Sequence, residues 1–461
     1  MVSMSHMLWD GKLLLVGRII DGIITLMFNG LRQKYKASVQ RKLEQAVRDY
    51  FAAHPEVRLV VMTGSVGKTS TKTAIATVLS QKYRVRLHEG NHNTHMSVPL
   101  AILGIPYPEN IRSFSAWRQV LKSAQARILA PTDVDIIVQE LGTDQPGDIG
   151  HFGTYLKPHM AVVTAITPEH MEFFKTLDAV AHEELVAANF SQAALINRDD
   201  IDGQYASYLE NPNVNTYGTT AAAEYHFEEQ DFTPEKGHVG NFVGLEIPAG
   251  IATTIHVLGE HNVRPAIAAG AVGLKFGLTA EEVAAGLARV TSIPGRMNLL
   301  RGLNGSMLID DTYNSSPAAA SSAVQTFYSL QAPQRIAIIG SMNELGDSSA
   351  AEHEKIGRMF NPDMVEWVIT VGDEAGKYLA PAARSQGCQV QSFASAVQAG
   401  AFAHKVLDKG ALVLIKGSQG GVYAEEATKI LLLDQSDASK LVRQSPAWMA
   451  TKEAYFERNL V

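Results

Sequence analysis

The stretch from Arg58 to Leu79 constrains the fold more than any other part of the chain. Arg58-Leu-Val-Val-Met-Thr63 is a short apolar run, Thr63-Gly-Ser-Val-Gly-Lys-Thr69 is a glycine-containing loop, and Lys68 to Leu79 favours helix. An apolar run without alternation suits a strand buried on both faces of a parallel sheet. Gly64 and Gly67 let the backbone N–H groups around Ser65, Val66 and Ser70 turn inward on phosphate oxygens. Lys68 adds a point charge, and the Thr69 hydroxyl is a ligand for Mg²⁺. The helix N-terminus that follows favours an anion further. The longer pattern G-x-x-x-x-G-K-[ST] is not met, because Met62 stands where its first glycine falls. The shorter G-x-x-G-K-T form also occurs in plain turns. Its place between a strand and a helix is what points to nucleotide phosphates.

The rest of the chain repeats the strand–helix alternation. Asp135–Glu140, Met160–Thr164 and Ala193–Asn197 are further buried-strand candidates, and Asn262–Phe276 and Ala280–Val290 are alanine-rich helices. The pattern resets at Pro294-Gly295-Arg296. Beyond it, strand candidates at Ser306–Asp310, Arg335–Gly340, Trp367–Val371 and Ala411–Lys416 alternate with helical segments. The expectation is an α/β chain. It has a central nucleotide-binding domain with a mostly parallel sheet over 58–295 and a Rossmann-like α/β domain over 296–461. A helical segment, 1–57, precedes both. The tail after Asp434 is polar and carries no readable role.

Composition narrows the function classes. The formal net charge of -7 and pI of about 6.1 argue against a nucleic-acid partner, which usually meets a basic domain. Cys388 is the sole cysteine, so neither an internal disulfide nor an all-cysteine zinc site can form, and a cytoplasmic setting is expected. Leu13–Phe28 is aliphatic but carries Arg18 and Asp21, too charged and short for a good membrane span, and it lacks a signal-peptide cleavage site. Val16, Ile19, Ile20, Ile23, Met27 and Leu31 form one apolar stripe, followed by Arg32, Lys34, Lys36, Arg41 and Lys42. Residues 7–42 would either pack on this protein or a partner subunit, or lie peripherally on the anionic inner face of a membrane.

Several motifs stand in a fixed order along the chain. They are Asn91-x-Asn93 before Val98-Pro99-Leu100, Glu140-Leu-Gly142, Pro168-Glu-His170, Asn197-x-Asp199-Asp200 and Gly259-x-His261-Asn262. Pro294-Gly295-Arg296, Asp310-Asp311-x-Tyr313-Asn314 and Lys416-Gly-Ser418 follow. With the phosphate loop, this set resembles the Mur ligase family over about residues 58 to 433, nearest its branch that adds D-alanyl-D-alanine to a muramoyl peptide. The resemblance implies an ATP-dependent carboxylate–amine ligase working through an acyl phosphate, with ATP and Mg²⁺ as cofactors and small-molecule substrates.

Residue by residue, the resemblance assigns Thr69 and Glu140 to one Mg²⁺ and His170 to a second. A carboxylate ending a buried strand, as Glu140 does, is costly unless it meets a cation. Asn262 would read the adenine edge, although an asparagine there can also be a plain N-cap. Arg296 would reach the transferring phosphate with its guanidinium fork. Asp311 and Tyr313 would contact the nucleotide, and Asn93, Asn314, Lys416 and Ser418 the substrates. Lys68, His170 and Arg296 are the expected catalytic groups.

Three departures bear on the substrate. Glu184 stands where the family usually carries a carbamylated lysine that supports the second metal. It offers a carboxylate with a reach shorter by roughly 3–4 Å. Gln419 stands where an arginine often holds the incoming amine component. The roughly 57 residues before the first strand are too few for the family's UDP-binding domain. Three readings follow: a D-alanyl-D-alanine-adding ligase of peptidoglycan precursors, a family ligase for a lipid-linked or polyglutamate-type carboxylate, and a nucleotide-binding partner protein that does not ligate.

Overall fold

A computed structural model describes residues 33–88, 90 and 92–459. The apolar stripe from Val16 to Leu31 and Asn91 lie outside them. Helix α1 spans 33–53. Val39, Leu43, Ala46, Val47 and Tyr50 recur every three or four residues and are buried in the same core as Leu59 and Val61. This part of the N-terminal segment therefore packs on its own protein, with Lys34, Lys36, Arg41 and Lys42 on the exposed face. Among the described residues no helix is long and apolar enough to cross a membrane.

The first lobe runs β1 (Arg58–Thr63), α2 (Lys68–Leu79), β2 (Val85–Leu87), α3 (Ser97–Leu103), α4 (Phe114–Leu129), β3 (Ile136–Glu140), α5 (Asp148–Gly153) and β4 (Met160–Val163). Next come α6 (Met171–Phe174), α7 (Leu177–Asn189), β5 (Ala194–Asn197) and β6 (Val214–Tyr217). The six strands form one sheet in the order β2-β3-β1-β4-β5-β6, parallel throughout. Period-two geometry divides each apolar run between two cores. Leu59, Val61, Ile137, Ala161 and Val163 face one layer, while Val60, Met62, Ile136, Val138 and Val162 face the other. From β1 the chain crosses outward to β2 on one side, and from β3 it crosses β1 to β4 on the other, so the connections change direction at β1. The crevice at the carboxyl ends of these strands is where open α/β sheets bind ligands.

An antiparallel sheet of β7 (His226–Thr233), β8 (Gly237–Gly244) and β9 (Ile247–Ile255) follows, and it was not expected from the sequence. Its Phe227 and Phe242 join the core under α8 (Val263–Lys275) and α9 (Ala280–Leu287). The second lobe contains β10 (Asn298–Arg301), β11 (Met307–Asp311), α10 (Pro317–Ser329), β12 (Arg335–Gly340), α11 (Ser349–Arg358) and β13 (Trp367–Val371). It continues with α12 (Ala380–Ser385), β14 (Gln389–Phe393), α13 (Ala396–Val406), β15 (Leu412–Lys416), α14 (Glu425–Leu431) and α15 (Pro446–Asn459). Its sheet order is β10-β11-β15-β12-β13-β14. Only the β10–β11 pairing is antiparallel.

Candidate active site

The phosphate loop is tied to its surroundings at nearly every residue. Gly64 has φ of 122°, and an added Cβ would lie 2.3 Å from Thr164 Oγ1, so only glycine fits. The Ser65 N–H donates to the Ala165 carbonyl at 2.9 Å, and the Ser65 hydroxyl donates to the Thr167 carbonyl at 3.0 Å. Thr164 Oγ1 donates to the Val66 carbonyl at 2.6 Å. Gly67, at φ of 87°, caps α2, whose first-turn N–H groups are thereby presented to the crevice.

Lys68 is folded back on this loop. Its Nζ donates to the Gly64 carbonyl and lies 3.7 Å from Glu169 Oε1. Burial opposes its charge, but Glu169, Glu184 and Glu140 more than compensate and raise its pKa. Thr69 Oγ1 donates to Glu140 Oε2 at 3.0 Å. Glu140 is 3% exposed. It is also met by Lys72 Nζ at 3.8 Å and by Asn93 Nδ2 at 3.3 Å. Lys72, one helical turn after Lys68, went unnoticed in the sequence reading; burial lowers its pKa.

His170 has φ of 48°. Its Nε2 is 3.4 Å from Glu169 Oε1 and 3.7 Å from Asp144 Oδ1. The neighbouring Glu169 carboxylate is the chief reason its pKa is raised. Glu169 was also missed, although it lies between two singled-out residues, Pro168 and His170. Its Oε2 is buried without a hydrogen-bond partner.

Glu184 makes a contact that its expected role did not include. It is 1% exposed, and its Oε2 accepts the Gly64 N–H at 2.7 Å. It does not line the crevice from which His170 is reached. Its side chain is spent on the underside of the loop. Burial raises its pKa to about 7.

The second lobe closes the crevice. Arg296 Nη2 donates to Thr69 Oγ1 at 3.2 Å, and its guanidinium carbon lies 4.3 Å from the centroid of the Tyr313 ring. Asp311 Oδ2 is 2.6 Å from Lys416 Nζ, and Lys416 also donates to the Asn314 carbonyl at 3.0 Å. These two side chains come from register partners on β11 and β15. Asn262 makes no side-chain cap to α8; its Nδ2 reaches back to the Leu258 carbonyl at 2.8 Å. The adjacent His261 is held neutral, its pKa lowered to about 4 by burial.

Ser65 through Ser70, Asn93, Glu140, His170, Asn262, Arg296, Asp311, Tyr313, Asn314 and Lys416 all line one crevice of about 350 Å³. Gly64, Glu184 and Ser418 do not line it, and Ser418 has a different task. It is fully buried, accepting the Asn343 N–H at 2.9 Å and donating to the Ser315 carbonyl at 3.3 Å, so it fastens loops. Gln419 is exposed.

Two further contributions were invisible in sequence. Arg264 pairs with Asp199 and Asp200, both at 3.0 Å, fixing the end of β5 beside the crevice. Arg443, from the polar tail, donates to the carbonyls of Thr312 and Tyr313. It also pairs with fully buried Glu425 at 2.7 Å. Lys452 on α15 reaches the same carboxylate at 3.5 Å.

The donor set suits a hard divalent cation. Thr69 and Glu140 offer oxygen atoms side by side, and the orphaned Glu169 oxygen is a further one. Among the described residues no group of three or more histidine, cysteine or acidic side chains forms a ready cage. That fits an ion whose remaining ligands are phosphate oxygens and water.

Comparison with known proteins bears on the family and the fold. Residues 62–273 match the Mur ligase middle domain, and residues 295–419 match the Mur ligase glutamate ligase domain. The UDP-N-acetylmuramoyl-tripeptide–D-alanyl-D-alanine ligase of Bacillus subtilis is 30% identical over 394 residues, covering 81% of this chain and 76% of that protein. Its Escherichia coli counterpart is 29% identical, covering 69% of this chain and 65% of its own length, just under two thirds. The fold is shared with MurF from Thermotoga maritima in complex with ADP, at TM-score 0.68 and 21% identity over 87% of this chain and 84% of that one. It is shared as well with folylpolyglutamate synthase from the same organism, at TM-score 0.57 and 15% identity over 89% and 99%. The chain belongs to the Mur ligase family.

Proposed function

We propose that this chain is an ATP-dependent acid–amine ligase that joins a substrate carboxylate to an amine through an acyl phosphate, with D-alanyl-D-alanine as amine and a muramoyl peptide as acceptor. The observation that carries the reading is the 3.2 Å contact of Arg296 with Thr69. A cation from the second lobe thereby stands over the phosphate loop of the first. The substrate pair rests on the two bacterial relatives of that name.

The γ-phosphoryl group of ATP passes to the acceptor carboxylate, giving an acyl phosphate and ADP. The amine then attacks the acyl carbon, phosphate leaves, and the amide remains. Lys68, released from the Gly64 carbonyl by the arriving phosphates, and Arg296 offset the charge on the transferring group. Asn262 stands at the adenine end, and Asp311 and Tyr313 bound the nucleotide from the second lobe. Lys416 keeps Asp311 and the Asn314 turn in place, and Asn93 and Asn314 face the substrates. Thr69 and Glu140 would hold a magnesium ion, with His170 and Glu169 available to a second; the metal supplies charge neutralisation at the phosphates. Water must be kept from the acyl phosphate, and the two lobes wall the crevice for that purpose.

The working units are residues 58–295, with α1 packed on them, and 296–461. The single cysteine, Cys388, is buried and free, and a cytoplasmic setting is part of the proposal. The test is phosphate release over a grid of acceptors and amines, read by product mass and including polyglutamate and lipid-linked peptides as acceptors. Release that requires both a muramoyl tripeptide and D-alanyl-D-alanine supports the proposal. Release with another pair redirects the substrate, and no release with any pair removes the ligase.

A further inference from the structure

Two adjacent carboxylates on α7 hold two loops of the site by their backbone amides. Glu183 Oε2 accepts the Gly147 N–H at 2.7 Å, and its Oε1 accepts the Ile149 N–H at 2.6 Å. It thereby fixes the segment that leaves β3 after Glu140. Glu184 accepts the Gly64 N–H at 2.7 Å, and its own carbonyl receives the Thr63 hydroxyl at 3.0 Å. The end of β1 and the first peptide of the phosphate loop are thus pinned to one residue some 120 positions away. Both carboxylates are buried, at 4% and 1% exposure.

We infer that Glu184 is a positioning residue for nucleotide binding: its carboxylate oxygen orients the Gly64 peptide so that the loop is preformed for phosphate. The peptide entering Gly64 aims its N–H at Glu184 on α7, and the positive φ at Gly64 sets the next peptide, whose carbonyl meets Lys68, relative to it. Water has no access to supply another acceptor at a carboxylate 1% exposed. Without Glu184 this N–H would be left without an acceptor; any turn of the Thr63–Gly64 peptide to find one would pull on the Thr63 carbonyl, held by the Thr164 N–H at 3.0 Å, and through Gly64 would shift the carbonyl on which the Lys68 ammonium leans. What the loop requires here is an acceptor, not a charge. A negative charge under a phosphate site even opposes the ligand. A neutral amide of the same shape should therefore serve.

This inference rests on the nucleotide-site reading but not on the identity of the substrates, and its test is direct binding. ADP and a non-hydrolysable ATP analogue are titrated calorimetrically into the wild-type chain, Glu184→Gln and Glu184→Ala, each checked for folding by its circular dichroism melt. Glu184→Ala should weaken both nucleotides by about tenfold or more, the scale of a buried donor left without its partner. Glu184→Gln should stay within about threefold of wild type, because its amide oxygen restores the acceptor. In turnover, KM for ATP should rise in Glu184→Ala while KM for amine and acceptor holds. If Glu184→Ala does not fold, Glu184→Met, which fills the space and lacks an oxygen, takes its place. Equal losses in Gln and Ala would mean that the carboxylate acts by its charge and would overturn the inference, as would unchanged binding in Ala. A wild-type chain that binds neither nucleotide would instead remove the nucleotide-site reading itself.

Discussion

Replacing Lys416 by methionine isolates a buried ion pair that joins structure to site. Lys416 is 1% exposed, and its Nζ lies 2.6 Å from Asp311 Oδ2 with a second bond to the Asn314 carbonyl. Methionine keeps the packing volume but leaves Asp311 supported only by the Met297 N–H at 3.2 Å. An uncompensated buried carboxylate costs about 3–5 kcal/mol. Removing the carboxylate as well should return most of that, so Asp311→Asn/Lys416→Met should lie within about 1–2 kcal/mol of wild type. A chain of two lobes does not unfold in one step. The assay is therefore hydrogen exchange of β11 and β15 peptides across a urea series, which reports the second sheet alone. Ligation should stay low in the double variant despite recovered stability, because the Asn314 turn still lacks its cation. A single variant that loses less than about 1 kcal/mol, or a double variant no better than the single, would refute the reasoning.

Three other outcomes are expected. Lys68→Ala should lower turnover by about 10²–10³ with an unchanged melting curve, since Lys68 serves the phosphate rather than a core; near-normal ligation would exclude the loop from the reaction. Asp310 is fully buried, and burial raises its pKa to about 7 from 3.8. The native state therefore holds a proton that the unfolded chain releases. That stability is complete below about pH 3.8 and lost as pH rises through 7, a few kcal/mol in all. The stability of wild type relative to Asp310→Asn should fall between pH 4 and 7.5 in urea titrations, and a flat difference would contradict it. Arg443→Met should destabilise the second lobe by about 3 kcal/mol, because buried Glu425 keeps only the 3.5 Å contact of Lys452, and raise KM for ATP, measured by urea unfolding and initial rates. A change in stability with no change in KM would separate the tail from the site.

The sequence was most legible where chemistry and local pattern coincide. The apolar run, glycine loop and helix of β1 to α2 are contiguous, and Glu140 announces itself as a charge closing a buried strand. The strands β11, β12, β13 and β15 are built on continuous apolar stretches, such as Leu412-Val-Leu-Ile415, and could be read as such. Edge strands could not: β14 reads Gln389-Val-Gln-Ser-Phe393, half polar because one side meets solvent. The β7–β9 sheet mixes glycine, acid and aromatic residues over its length and lacks a clean period. Glu184 illustrates a different limit. Its position was noticed, but its partner is a backbone amide far away in sequence, and a peptide N–H leaves no letter in a sequence. Arg443 was hidden for the same reason, since it donates to two carbonyls.

The tail that bears Arg443 has a consequence for the order in which the molecule is made. Domains fold as they leave the ribosome, amino-terminal first. The phosphate loop can be seated on α7 as soon as Glu184 has emerged. The turn at Thr312 and Tyr313 waits for Arg443, and the buried Glu425 waits for both Arg443 and Lys452. The nucleotide crevice is therefore open on one side until synthesis has passed Lys452. A nascent chain stalled before residue 443 would carry a finished phosphate loop facing an unfinished wall.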